Sequence, residues 1–210
     1  MSIVIALVSY LIGAIPFAYL LVRYRTGKDI RSEGSGNVGV LNSYEVTASK
    51  SIGIIVLVLD LLKGYGAVML ARWITGNDFF SAGLAGVFVV LGHNFNIFLR
   101  GKGGRGLAPA AGVSLAINPI TLIFWCLMWL TGYYVIRRNV HVGNVSGTIG
   151  AALLLATAPT QIVRALMQLP CEPLMQHTIL MMFICMQIFI RHLDPMRELM
   201  AEWNNEPDIE

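Results

Sequence analysis

The chain has 210 residues, 56% of them hydrophobic and only 13% charged, with a mean hydropathy of +0.67. Soluble domains are about a quarter charged, and a membrane crossing takes about 20 apolar residues, so the composition excludes an ordinary water-soluble fold and leaves room for roughly five to seven spans. The net charge of +3 with an acidic C-terminus (Glu206, Asp208, Glu210) argues against nucleic-acid binding, and the scattered Cys126, Cys171 and Cys185 make neither a disulfide framework nor a metal site.

The first apolar stretch, 3–22, has no basic residue ahead of it and no small-x-small cleavage site behind it, and reads as a span, not a removable signal. A glycine-rich polar segment follows, then apolar stretches at 52–73 and 79–99, a second glycine-rich loop, and a long apolar stretch at 107–136. Asn118-Pro119 sits mid-way along that stretch. Proline removes a donor and pushes its predecessor out of helical geometry, so the stretch divides into two helices. Stretches 145–169 and 174–190 complete the set. Gly143, Gly147 and Ala151, four apart, mark a close helix contact. Beyond Pro195, the spacing of Met196, Leu199, Met200 and Trp203 predicts a short interfacial helix. The expected architecture is an all-α integral membrane domain over 1–200 with seven transmembrane helices, followed by an acidic flexible tail over 201–210.

Lys and Arg beside spans favour the cytoplasm. With seven spans and the N-terminus outside, Arg23, Arg25, Lys28, Arg31, Lys50, Arg100, Lys102, Arg105, Arg137, Arg138, Arg191 and Arg197 share the cytoplasmic side, twelve of the fifteen cations, leaving Lys63, Arg72 and Arg164. The C-terminus is then cytoplasmic.

Two loops on that side carry G-x-G-x-x-G, at 34–39 and 101–106. Without a βαβ unit the pattern does not mark a dinucleotide site. Its physics remains: glycines let backbone N–H groups converge on an anion, and a following helix N-terminus adds positive potential. Lys102 and Arg105 add charge to the second loop, and Ser35, Asn37, Asn42 and Ser43 add short hydrogen-bonding groups to the first. The same features also serve lipid-headgroup contacts and turn formation. Asp60 and Lys63, three apart inside a span, are either functional or a self-neutralising pair. His93 and His192 stand near the same surface, as substrate neighbours or as structural hydrogen-bonders. Ser35, His192 and Asp194 lack the Gly-x-Ser-x-Gly elbow of a serine hydrolase, and no His/carboxylate cluster has metal-ligand spacing.

Tyr10 to Phe17 (YLIGAIPF), Asp29 to Gly39 (DIRSEGSGNVG) with Asn42, Leu59 to Gly64 (LDLLKG), and Gly92-His-Asn-Phe95 running into Lys102-Gly-Gly-Arg-Gly106 occur in that order. Together they resemble the membrane-integral acyl-phosphate:glycerol-3-phosphate acyltransferases of bacterial phospholipid synthesis, the PlsY family. The second half resembles it in hydropathy, with Ser146 and Arg191-His192 at motif-like positions. The resemblance implies seven spans in the bacterial cytoplasmic (inner) membrane. It also implies transfer of an acyl group from acyl phosphate to the first hydroxyl of glycerol 3-phosphate, with no cofactor, no metal and no protein base. By resemblance Ser35, Gly36, Asn37, Gly39 and Asn42 line a phosphate site, Lys102 and Arg105 flank the leaving phosphate, His192 places the acceptor, and Lys63, Gly103, Gly104 and Ser146 join the binding surface.

Three departures bear on the acceptor. Where the family continues Ala-Thr-Asn-Val-Leu-Arg, this chain has Val40-Leu-Asn-Ser-Tyr-Glu45. Gly143 replaces a serine, and His192-Leu-Asp-Pro-Met196 replaces His-Arg-x-Asn-Ile. Two other readings stand beside the acyltransferase: a diverged relative that uses another acceptor or binds lipid without catalysis, and a transporter of a phosphorylated metabolite. Transporters usually bind at the midplane between repeated halves, whereas these motifs lie in loops on one side.

Overall fold

The computed structural model describes residues 1–205, and within them the regular structure is helical throughout. The helices, in chain order, are α1 (Ser2–Gly13), α2 (Phe17–Thr26), α3 (Val40–Thr47), α4 (Lys50–Thr75), α5 (Phe79–Asn94), α6 (Leu107–Ile117), α7 (Ile120–Thr131, continued by a π-turn over Gly132–Ile136), α8 (Val140–Thr157), α9 (Thr160–Arg164) and α10 (Met175–Asn205). Five segments are long and apolar enough to cross a membrane: Ser2–Thr26, Lys50–Thr75, Phe79–Leu99, Val140–Thr157 and Met175–Trp203. Two more, Leu107–Ile117 and Ile120–Ile136, are apolar but shorter. At 1.5 Å per residue α6 covers only about half of a 30 Å hydrocarbon layer. Of the seven stretches expected to span, five thus form helices long enough to cross and two form shorter ones.

Polar residues fix the helix ends. Ser49 caps α4 through Ile52 N, Asp78 caps α5 through Ser81 N at 2.8 Å, and Asn139 caps α8 through His141 N at 2.7 Å. The proline at 119 divides α6 from α7 as the sequence predicts. Asn118 completes the break, donating to the Val163 carbonyl at 2.7 Å and accepting from Ile120 N at 3.2 Å.

Other boundaries differ from the sequence reading. The first span is interrupted at Ala14-Ile15-Pro16, where the missing proline N–H ends α1. The stretch expected over 145–169 is a helix over Val140–Thr157, stopped before Pro159, then the single turn of α9. No separate interfacial helix follows Pro195, because α10 runs through it to Asn205. The tail expected from 201 is thus helical as far as 205, and 206–210 lie outside the described residues.

Small residues set the packing. A Cβ at Gly13 would overlap the Val89 carbonyl and one at Gly92 the Tyr10 carbonyl, so α1 and α5 cross backbone to backbone. Gly64 and Gly112 do the same for α4 and α6, against the carbonyls of Pro109 and Leu61. In lipid, where tails are as apolar as side chains, such close van der Waals contact is what holds helices together. The 143/147/151 stripe behaves as predicted: Gly143 lies under Trp129 and Gly147 under Trp125, joining α8 to α7, and Ala151 is buried.

Candidate active site

The first glycine-rich loop is shaped by two side chains. Asp29 caps a single 3-10 turn and holds Arg31 through Nε at 2.9 Å and Nη2 at 2.6 Å, which keeps the Asp29 carboxyl down at about 2. Asn42, from α3, is buried beneath the loop. Its Nδ2 faces the carbonyls of Ile30 (3.3 Å), Glu33 (3.1 Å) and Asn37 (2.9 Å), while its Oδ1 accepts from Ser35 N at 3.1 Å. The amide is fully engaged in folding the loop, so Asn42 builds the site from behind. Gly36 turns the chain with φ +66, and Ser35 is exposed beside it.

The second loop folds onto His93, at the end of α5. Gly104 N donates to the His93 carbonyl at 3.1 Å, and a Cβ at Gly103 or Gly104 would overlap the His93 carbonyl or ring. Arg191 clamps the loop from α10, donating from Nε to the Gly104 carbonyl at 3.0 Å and from Nη2 to the Gly103 carbonyl at 3.1 Å. Those two glycines are thus needed for close packing. Lys102 is exposed at the loop tip, whereas Arg105 turns inward, half-buried, with Nη1 3.4 Å from His141 Nδ1. Burial and the nearby Arg191 lower the Arg105 pKa, and Glu198 and Glu45 act through space in the opposite sense.

The two loops border a cavity of about 600 Å³. Asn37, Gly39, Lys50, Arg105, His141 and Asn144 give it a polar side. Val40, Leu41, Ile54, Leu57 and Leu107 give it an apolar one, and Leu41, Ile54 and Leu57 are exposed on the outer surface of the helices. Asp60 and His93 line the cavity too, both buried. Asp60 Oδ1 sits 2.7 Å from Lys63 Nζ and 3.7 Å from His93 Nδ1.

Lys63 does not reach this space. It pairs with Asp60, donates to the Ile15 carbonyl at 3.2 Å freed by the Pro16 break, and with Gly104 borders only a void of about 10 Å³. The ion pair expected between Asp60 and Lys63 is thus present, with Asp60 facing the cavity and Lys63 turned away from it.

The wall from α8 and α10 also departs from expectation. His192 is buried, with Nδ1 2.8 Å from the Ile188 carbonyl and Nε2 3.3 Å from Asn144 Nδ2, so protein groups occupy both ring nitrogens. Ser146 packs against Gly132 of the π-turn, on the α7 side of α8. Asn37, Gly39, Asp60, His93 and Arg105 are therefore the residues singled out in the sequence that line the cavity, while Ser35, Gly36, Asn42, Lys63, Lys102, Gly103, Gly104, Ser146 and His192 lie around or behind it. Asn144 and His141 were not selected from the sequence. Their signal is two polar residues three apart on one face at the head of an apolar helix. Among the described residues no group of His, Cys, Asp and Glu has the arrangement of a metal site.

The model of the family described as glycerol-3-phosphate acyltransferase matches residues 3–202. A glycerol-3-phosphate acyltransferase of Desulforamulus reducens is 40% identical over 155 residues, covering 74% of this chain and 76% of its own length. The crystal structure of PlsY (YgiH), an integral membrane glycerol 3-phosphate acyltransferase, in its glycerol 3-phosphate form, superposes with a TM-score of 0.78 at 30% identity, over 96% of this chain and 92% of that one. Its lysophosphatidic acid form gives 0.76 at 29% identity with the same coverage.

Proposed function

Because the chain belongs to the glycerol-3-phosphate acyltransferase family, we propose that it is a membrane-embedded acyltransferase that moves an acyl group from acyl phosphate to the first hydroxyl of glycerol 3-phosphate. The observation that carries the proposal is the two-sided cavity. Arg105, Lys50, Asn37 and Asn144 offer charge and polar side chains at one side, and Leu41, Ile54 and Leu57 offer an apolar wall that continues onto the lipid-facing surface. An acyl phosphate is an amphiphile of that shape.

In the reaction the acceptor hydroxyl oxygen bonds to the acyl carbon and the carbon–oxygen bond to phosphate breaks. The hydroxyl proton leaves with the phosphate, giving 1-acylglycerol 3-phosphate and inorganic phosphate. Acyl phosphate is already an activated mixed anhydride, so the protein's task is to hold two phosphate-bearing substrates together and offset charge on the departing phosphate. Arg105 is the cation best set for this, being half-buried where a charge is worth more than in water. Lys50, on the same polar side of the cavity, anchors the acceptor phosphate.

The five long and two shorter apolar helices lie in the bacterial cytoplasmic membrane with the N-terminus outside and both glycine-rich loops in the cytoplasm, a placement that the positive-inside count supports. The polar side of the cavity then faces the compartment that holds glycerol 3-phosphate. Purified protein in detergent, given acyl phosphate with and without glycerol 3-phosphate, is expected to release phosphate and form 1-acylglycerol 3-phosphate only when both are present. Preference for acyl-CoA, or phosphate release independent of acceptor, would overturn the reading.

A further inference from the structure

Three side chains behind the α8 wall determine one another's orientation. The Trp129 indole can only donate, and its Nε1 lies 2.9 Å from the Asn144 amide, so the atom facing it is the amide oxygen. The amide nitrogen then faces His192 Nε2 at 3.3 Å, which makes that ring nitrogen an acceptor. The ring proton is left on Nδ1, which donates to the Ile188 carbonyl at 2.8 Å. A carbonyl only accepts, so both ends of the relay require the same tautomer. Trp129 is itself held, stacked on Tyr133 at 5.0 Å with a 7° interplanar angle and seated on Gly143, where a Cβ would come 2.8 Å from Nε1.

The relay ends at the cavity. Asn144 is 7% exposed and lines it beside His141. Its amide nitrogen carries two hydrogens, of which His192 takes one. We propose that Asn144 donates the second to a neutral glycerol oxygen of the acceptor, and that Trp129 and His192 are positioning residues that hold the amide for this contact. The proposal rests on the acyltransferase reading above. Arg105 and Lys50 already serve a phosphate dianion, to which a neutral amide adds little, whereas a hydroxyl oxygen matches it. With its own oxygen committed to Trp129, Asn144 cannot take up the nucleophile's proton. It orients the acceptor and does not act as a base.

The test compares wild type, Trp129→Phe and Asn144→Leu in detergent, reading phosphate release against each substrate and histidine tautomers by ¹⁵N NMR. Wild-type His192 is expected as the Nδ1–H form. Trp129→Phe keeps the ring stack but frees the amide to turn over, so the tautomers should mix. Asn144→Leu should raise KM for glycerol 3-phosphate about tenfold, the effect of one net hydrogen bond, and Trp129→Phe about twofold, as about half of the amides turn over, with KM for acyl phosphate and kcat moving less than the acceptor KM in both. If Asn144→Leu does not fold, Trp129→Phe carries the test through the acceptor KM and the His192 tautomer. An active wild type whose variants leave acceptor KM unchanged, or shift donor and acceptor constants alike, refutes the assignment and leaves the acyltransferase reading intact. A wild type that forms no acylglycerol phosphate refutes that reading and the acceptor contact with it.

Discussion

Substituting Gly104 with alanine tests whether the second loop's exact seat on His93 matters to catalysis. The added Cβ would overlap His93 Nε2 and lie 2.8 Å from the Val38 carbonyl. A wedged ring and a backbone oxygen cannot swing away as a flexible chain end can, so the loop must lift by on the order of 1 Å, an overpacking cost of about 1–3 kcal/mol. That shift pulls the Gly103 and Gly104 carbonyls off the Arg191 fork and carries Arg105 with them. A misplacement of about 1 Å at a reacting centre costs roughly 100-fold, so kcat for phosphate release at saturating substrates should fall by about that factor. Thermal unfolding separates loss of fold from loss of alignment. Gly66→Ala is the control, since a Cβ there, inside α4, meets nothing within 4 Å. It should retain activity and gain about 0.5–1 kcal/mol in helix stability. Wild-type kcat in Gly104→Ala would show that the loop's seat on His93 does not govern the reaction.

Four further outcomes are expected. Asn42→Asp keeps the acceptor for Ser35 N but loses the donations to the loop carbonyls, so turnover should drop at least about tenfold, with a lower unfolding temperature in the same preparation. Lys50→Ala should raise KM for glycerol 3-phosphate and Glu45→Arg should lower it, measured across acceptor concentration, because Lys50 lines the cavity and Glu45 acts through space on Arg105. Arg105→Ala should cost about a hundredfold in kcat with acyl phosphate, the effect of losing a group that stabilises transition-state charge. For Asp29 the folded pKa, about 2, lies below the ordinary value of about 3.9. The Asp29–Arg31 pair therefore contributes its full stability above about pH 4 and loses it as pH falls towards 2. NMR titration of Asp29 in Arg31→Gln should move its midpoint up towards the ordinary value, short of it by what the residue-31 N–H and Arg23 still contribute.

The helical membrane character and the division at Pro119 were legible because hydropathy and a missing donor act locally. Pro195 obeys the same chemistry with the opposite result. Asn118 turns its side chain into a stop, bonding Ile120 N and Val163 O, whereas Asp194 instead reaches Arg197 in the next turn, and α10 continues with the loss of one backbone bond. Within the site, the two loops were legible as a unit, but the division of labour inside them was not. An asparagine in a glycine-rich loop reads the same whether it meets a ligand or ties the loop together, and only the burial of Asn42 among four backbone groups separates the two. Lys63 was ambiguous for a related reason, since its partners, Asp60 and the Ile15 carbonyl, come from an ion pair readable in sequence and a helix break that was not read. Asn144 gave a weak signal because its partners, Trp129 and His192, are brought to it by tertiary packing.

The break at Pro16 has a consequence for how the protein is made. It leaves the carbonyls of Ala14 and Ile15 without helical partners: Ala14 is met by Asn96 Nδ2 at 2.7 Å, and Ile15 by Phe17 N and Lys63 Nζ, each at 3.2 Å. Asn96 lies 82 residues further along the chain. At a synthesis rate of about 5–20 residues per second, the first span waits on the order of ten seconds for that donor. A bare carbonyl costs several kcal/mol in hydrocarbon. The nascent first span must therefore hold its break near water or beside the insertion machinery until α4 and α5 emerge, and only then can it settle at its final depth.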